Sequence, residues 1–247
     1  MAVLLQYNFT TDLLPTTTAT GVTGSQITNQ SLSYFTIDTL GYSADPILVC
    51  NPILGASTAA LAVTNASYFF VTISPTNGNT ISLTTMTFNI AKGGASTPRG
   101  YAVRSSADSY VANLATADVT TQRTTFTAVS VDLSGASFQN LTTNVAFRVY
   151  IYAPTDGNSL DIDALTINGT VGIGSAGAVE QEGFIFYNDN AGESLSSGLA
   201  AQDTNIIREK TTNTRLRVLL NSTNDRGSET YQLEYRKVGD ASWNVIV

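Results

Sequence analysis

Val145-Ala146-Phe147-Arg148-Val149-Tyr150-Ile151-Tyr152 is the stretch that decides the fold. Val145, Phe147, Val149 and Ile151 alternate with Ala146, Arg148, Tyr150 and Tyr152. A period of two residues is that of a β-strand, not of a helix. A slip of one residue would move all four apolar side chains to the other face, so the register is strongly specified. The segment predicts a strand with Val145, Phe147, Val149 and Ile151 in a core and Tyr150 and Tyr152 facing away from it. Aromatic rings on an exposed sheet face are surfaces on which sugars stack. Tyr150 and Tyr152 are therefore candidate sugar-facing aromatics, and a surface glycan is a candidate partner.

Outward from this strand the same period recurs. Val3, Leu5, Tyr7 and Phe9 alternate, as do Phe69, Val71 and Ile73 before the turn residues Ser74 to Asn79. Ile81 and Leu83 are followed by Met86, Phe88 and Ile90, a change of phase that predicts a bulge or bend. Tyr101 with Val103, and Val129 with Val131 and Leu133, mark further strands. Asp156-Gly157-Asn158 turns the chain into Leu160, Ile162, Leu165 and Ile167. About eight short strands with turn signals between them predict an antiparallel, jelly-roll-like β-sandwich over residues 1–172. Gly172-Ile173-Gly174-Ser175-Ala176-Gly177-Ala178 opens a small-residue linker, placed at 173–182. Residues 183–247 then carry fewer strand signals: Phe184 and Phe186; Leu216, Val218 and Leu220; Tyr231, Leu233 and Tyr235; Trp243 and Val245. The fold class expected is all-β, a sandwich followed by a small β-rich module.

Composition agrees. Hydrophobic residues make up 43% of the 247, while charged residues are 13% against roughly 25% in an average domain. Thr, Ser, Asn and Gly fill the gap, which suits strands and turns better than long surface helices. Net charge is −7, which disfavours nucleic acid and an anionic membrane as partners. The opening residues lack a basic segment and the apolar run breaks at Gln6, so no signal peptide is expected and the chain reads as soluble and made in a cytoplasm.

The sequence holds no histidine and one cysteine, which removes His-dependent nucleophilic mechanisms and a zinc site of nitrogen and sulfur ligands. Cys50, among apolar neighbours, reads as a small buried hydrophobe. Asp161 and Asp163 share one side of a strand with carboxyls roughly 6–7 Å apart, a spacing that overlaps some glycosidases. A polar strand face explains the pair more simply, and two local oxygens are too few for calcium. Gly93-Gly94 lacks the strand-to-helix setting of a phosphate loop. No catalytic, metal or cofactor residues are therefore assigned. Arg215, Arg217, Arg236 and Lys237 form a basic concentration beside Glu229 and Glu234, read as a solvated strand face.

Thr97-Pro98-Arg99-Gly100-Tyr101-Ala102-Val103-Arg104-Ser105-Ser106, Val129 to Gly135 and Leu160 to Val171 together resemble a jelly-roll domain of exported bacterial proteins, many with a C-terminal sorting anchor. That domain is distantly similar to carbohydrate-binding sandwiches. Thr214 to Leu220 and Tyr231-Gln232-Leu233-Glu234-Tyr235-Arg236-Lys237 through Trp243 resemble a small module of structural proteins of aquatic tailed bacteriophages, and part of a fibronectin type III sandwich. This second resemblance implies a virion component on the capsid exterior, made in the host cytoplasm: a capsid decoration (cement) protein bound to the major capsid protein, expected as a homotrimer. The alternative is a carbohydrate-binding or host-attachment module of a tail or head fibre. A sheet as small as the second module leaves open edges, so Tyr231, Leu233, Tyr235, Trp243 and Val245 are the candidate assembly interface.

Overall fold

The computed structural model describes residues 2–39, 46–76, 78–174, 179–189, 198–209, 211–222, 232–236, 239 and 241–245. The chain divides into two compact units, Met1–Gly174 and Ser175–Val247. In the first, the strands are β1 (Ala2–Tyr7), β2 (Thr17–Thr18), β3 (Val22–Gly24), β4 (Thr28–Gln30), β5 (Tyr34–Asp38), β6 (Ile47–Asn51), β7 (Tyr68–Pro75), β8 (Asn79–Lys92), β9 (Gly100–Ser105), β10 (Ala115–Asp118), β11 (Thr127–Asp132), β12 (Val145–Tyr152) and β13 (Leu160–Ile173), with one short helix, α1 (Ala59–Thr64), before β7.

These strands form two antiparallel sheets. A seven-stranded sheet runs β11-β8-β13-β1-β2, with β6 also beside β13 and β5 beside β6. A six-stranded sheet runs β10-β9-β12-β7-β3, with β4 also beside β7. From β6 onward almost every connection crosses from one sheet to the other. Asp156-Gly157-Asn158 is thus not a hairpin turn: it carries the chain from β12 in one sheet to β13 in the other. The result is an all-β, jelly-roll-like sandwich, followed by a small β-rich unit.

The deciding strand sits as its period requires. Val145, Phe147, Val149 and Ile151 are buried between the sheets, and Phe147 stacks on Phe138 with ring centroids 6.0 Å apart. Burying each such side chain contributes about 1.5–3 kcal/mol. The phase change after Leu83 is a bulge: Asn168 and Gly169 of β13 oppose Thr85 and Leu83, leaving Thr84 extra. A second bulge falls at Ala164, whose φ is +51°, and resets the phase between Ile162 and Leu165. A third, in β1 between Val3 and Leu5, buries Leu4 and leaves Val3 39% exposed, against the simple alternation expected.

Part of the stretch 173–182 read as a linker belongs to strands. β13 continues through Ile173, and the next strand, β14 (Val179–Asn188), already includes Val179 to Glu182. In the second unit β14 pairs with β15 (Thr214–Ser222), and β16 (Glu234–Tyr235) pairs with β17 (Asn244–Val245). The other edge of β14 is met by residues 199–203: Leu199 N–H donates to the Phe186 carbonyl and Asp203 N–H to that of Phe184, both at 2.8 Å. The Phe184 N–H in turn donates to Asp203 Oδ1.

Candidate functional site

Tyr150 and Tyr152 do face away from the main core, but they are not exposed. Their relative exposures are 3% and 5%. α1 lies across this outer face of the six-stranded sheet, and Ala56, Ala62, Tyr68, Ala102, Tyr150 and Tyr152 form a second small core beneath it. The helix is built by local rules. Thr58 caps its start, Oγ1 accepting from the Leu61 N–H at 3.2 Å. Ser67 and Ala66 N–H donate to the carbonyls of Ala62 and Val63, closing its end as a Schellman motif with Ala66 at φ +53°. The Tyr152 hydroxyl donates to Asp118 Oδ1 at 2.6 Å, with the Ala117 carbonyl at 3.1 Å. Burial, then Asp118, holds its pKa well above the usual phenol value. The two tyrosines are buried supports of the face and offer no open ring to a ligand, contrary to the expectation that they face a sugar.

Beside α1 the face stays open. The register places Thr28 of β4, Phe70 of β7, Arg148 of β12 and Arg104 of β9 in one transverse row. Four adjacent strands make this row roughly 14 Å long. Phe70, Arg148 and Arg104 are half-buried and Thr28 is exposed. The Arg148 guanidinium lies over two rings, 3.7 Å from the centroid of Tyr110 and 4.6 Å from that of Tyr68. Tyr68 meets Phe70 and Tyr150 edge-on at 6.0 and 5.0 Å. Arg148 is thereby fixed in place by stacking, an arrangement a guanidinium favours.

Tyr110 arrives from a 3-10 turn, Ser106–Asp108, after β9. Ser109 and Tyr110 are both left-handed, at φ +60° and +62°. For residues other than glycine this conformation costs of order 1–3 kcal/mol each, so the surroundings must hold it. They do: the Tyr110 N–H donates to the Ser105 carbonyl at 2.8 Å, and the Tyr110 carbonyl accepts from Arg104 Nη1 at 2.8 Å. Asp108 Oδ1 and Oδ2 accept from the N–H groups of Val111 and Ala112, and Ser106 Oγ accepts from the Ala146 N–H. Arg104 Nε also donates to Asn113 Oδ1 at 2.6 Å. Half-buried Thr72 and Ala146 continue the same face with small side chains, leaving a shallow, rigid, aromatic- and arginine-lined surface.

The other predicted positions lie elsewhere. Asp161 and Asp163 share the outer face of the seven-stranded sheet, but Asp161 is fully buried and paired with Arg123 at 3.1 Å. Asp163 accepts from Asn89 Nδ2 at 3.4 Å. Burial raises both carboxyl pKa values, against the lowering pull of Arg123 on the first and of Asn89 on the second. Near the Ala164 bulge, Thr87, Asn89, Ala128 and Ser130 line a depression of about 190 Å³ that contains no exposed ring. Among the described residues no cluster of three or more His, Cys, Asp or Glu could hold a metal ion. No helix there is long and apolar enough to cross a membrane. Cys50 is buried, as its neighbours predict.

In the second unit Leu233, Trp243 and Val245 are 48%, 59% and 41% exposed, Tyr235 lies in β16, and Tyr231 is outside the described residues. Arg236 lies over the Trp243 ring at 4.9 Å, Arg217 over Tyr187 at 5.3 Å, and Arg215 pairs with Asp189 at 3.3 Å.

Comparison with known proteins finds no matching family model and no matching curated protein. Solved structures match the sandwich weakly. The K3 cleaved adhesin domain of Lys-gingipain from Porphyromonas gingivalis is 13% identical with a TM-score of 0.41, over 68% of this chain and 99% of that one. A putative sugar-binding protein from Bacteroides thetaiotaomicron is 10% identical with a TM-score of 0.41, over 68% and 100%. A family 35 carbohydrate-binding module from an environmental isolate is 15% identical with a TM-score of 0.36, over 60% and 96%. The chain is similar to these adhesin and carbohydrate-binding domains in fold, at a level that assigns it no function.

Proposed function

We propose that the first unit is a non-catalytic glycan-binding module, and that its binding surface is the open part of the six-stranded sheet beside α1. One observation carries this reading: the transverse row Thr28, Phe70, Arg148 and Arg104, roofed at one side by Tyr110 in a strained loop. Sugar recognition needs apolar rings to meet C–H faces and fixed donors to meet hydroxyls. The row supplies both on rigid strands, so little ordering is needed on binding. Affinity electrophoresis through gels containing a panel of soluble plant, algal and bacterial polysaccharides tests it. At least one polymer should retard the full chain, and Tyr110→Ala should abolish that retardation at unchanged melting temperature. Free migration through every gel sinks the proposal.

A second reading rests on a different observation. Leu219 and Leu220 of β15 are each 52% exposed, along with Leu233, Trp243 and Val245. These exposed apolar side chains support assembly of the second unit on a protein partner, as a virion decoration protein on its major capsid protein or as a homotrimer would require. The two readings are compatible: one unit attaches to an assembly and the other binds glycan.

A further inference from the structure

We infer that the sugar taken by this face carries an anionic group, a uronic carboxylate or a sulfate ester, held between Arg148 and Arg104. The inference rests on the glycan-binding reading and narrows it to a ligand class. The first unit has five basic side chains, Lys92, Arg99, Arg104, Arg123 and Arg148. Three are engaged inside the fold: Lys92 Nζ on the Ala95 carbonyl, Arg99 on the Ser96 and Ser159 carbonyls, Arg123 on Asp161. The other two are directly opposite one another on β9 and β12. Like charges in that position are destabilising. Yet neither Arg104 nor Arg148 forms an ion pair among the described residues.

Asp108, in the loop after β9, accepts from the amides of Val111 and Ala112 and forms no ion pair with either arginine. Among the described residues, one of the five N–H donors of Arg148 meets a protein acceptor, the Tyr150 hydroxyl at 3.5 Å. The Tyr110 and Tyr68 rings lie against its guanidinium carbon, and its N–H groups are donors of the kind that bind carboxylate or sulfate oxygens in pairs. Arg104 has Nε on Asn113 and Nη1 on the Tyr110 carbonyl, and its Nη2 has no hydrogen-bond partner among the described residues. Two adjacent cations without a counter-charge among the described residues, in a chain of net charge −7, favour an anion at this place.

The test is isothermal titration of the full chain with oligogalacturonate, with the same oligomer after carboxyl reduction, and with a sulfated galactan oligomer. The acidic oligomers should bind at least tenfold more tightly than the reduced one, and the stronger of the two identifies carboxylate or sulfate as the anion. Arg148→Gln and Arg104→Gln, checked for native melting, should each lose at least tenfold on the acidic ligand. Arg148→Lys, which keeps the charge, should bind better than Arg148→Gln. Equal binding of the reduced oligomer, parity of the lysine and glutamine variants, or full affinity in the glutamine variants overturns the inference while leaving a neutral-glycan module standing. No binding of any of the three oligomers overturns the inference, and free migration through every polysaccharide gel as well fails the glycan-binding reading with it.

Discussion

Asp161 shows what a buried carboxylate does to this sandwich. It has no exposed surface; Oδ2 accepts from Arg123, while Oδ1 has no hydrogen-bond partner among the described residues. Burial raises its pKa, and the Arg123 charge and hydrogen bond pull it partly back. Between the ordinary carboxylate value and the raised one, the folded state holds a proton that the unfolded state has released. Stability from this group is therefore full below that window and falls as pH rises through it. Asp163 adds the same sign, and the exposed Asp132, lowered by its Ser134 hydrogen bonds, the opposite one. The difference between wild type and Asp161→Asn isolates the first. Urea unfolding across the acidic range should show a negative slope that flattens in Asp161→Asn; an unchanged slope contradicts the assignment. Arg123→Ala should cost about 3 kcal/mol at neutral pH, the low end for breaking a buried pair, because Arg123 is 36% exposed and screened.

Gly100 is a second such residue. A Cβ there would sit 2.2 Å from both the Tyr152 hydroxyl and the Ala117 carbonyl. Gly100→Ala should destabilise by about 1–3 kcal/mol through overpacking, measured by thermal melting, and Tyr152→Phe should relieve little of it because the backbone contact remains.

At the scale of elements, β12 was legible because its two faces differ so cleanly, and Phe147→Ala should cost about 3–5 kcal/mol. The bulge at Thr84 was legible as a phase change, since an extra residue must shift a period of two. α1 was not foreseen. Its six residues are too few for a helical period to show against strands, although Thr58 before Ala59, Ala60 and Leu61 is a capped, high-propensity start. Missing α1 is why Tyr150 and Tyr152 read as exposed. Arg148 and Arg104 alternate with the apolar residues of their strands, but their adjacency depends on the β9–β12 register, which one strand's sequence does not contain. Tyr110 carried no signal at all, because left-handed tyrosine is held by tertiary contacts.

At the scale of the molecule, the two units have different constitutions. The first closes a continuous core between two sheets, whereas the described residues of the second form a two-stranded sheet and a two-residue pair with exposed Leu219, Leu220, Leu233 and Trp243. Residues 1–174 alone should fold and stay monomeric by light scattering, with association confined to the longer chain. A shortened chain that still associates would move the assembly surface to the sandwich. For the glycan site, the most direct measurement is an amide and indole NMR titration of the full chain with the oligosaccharide that binds it. The expected result is shifts at Phe70, Arg104, Tyr110 and Arg148, with Thr87, Asn89, Ser130 and the Trp243 indole unmoved. Shifts centred on the Ala164 depression or on Trp243, with the Arg148 row silent, would contradict it.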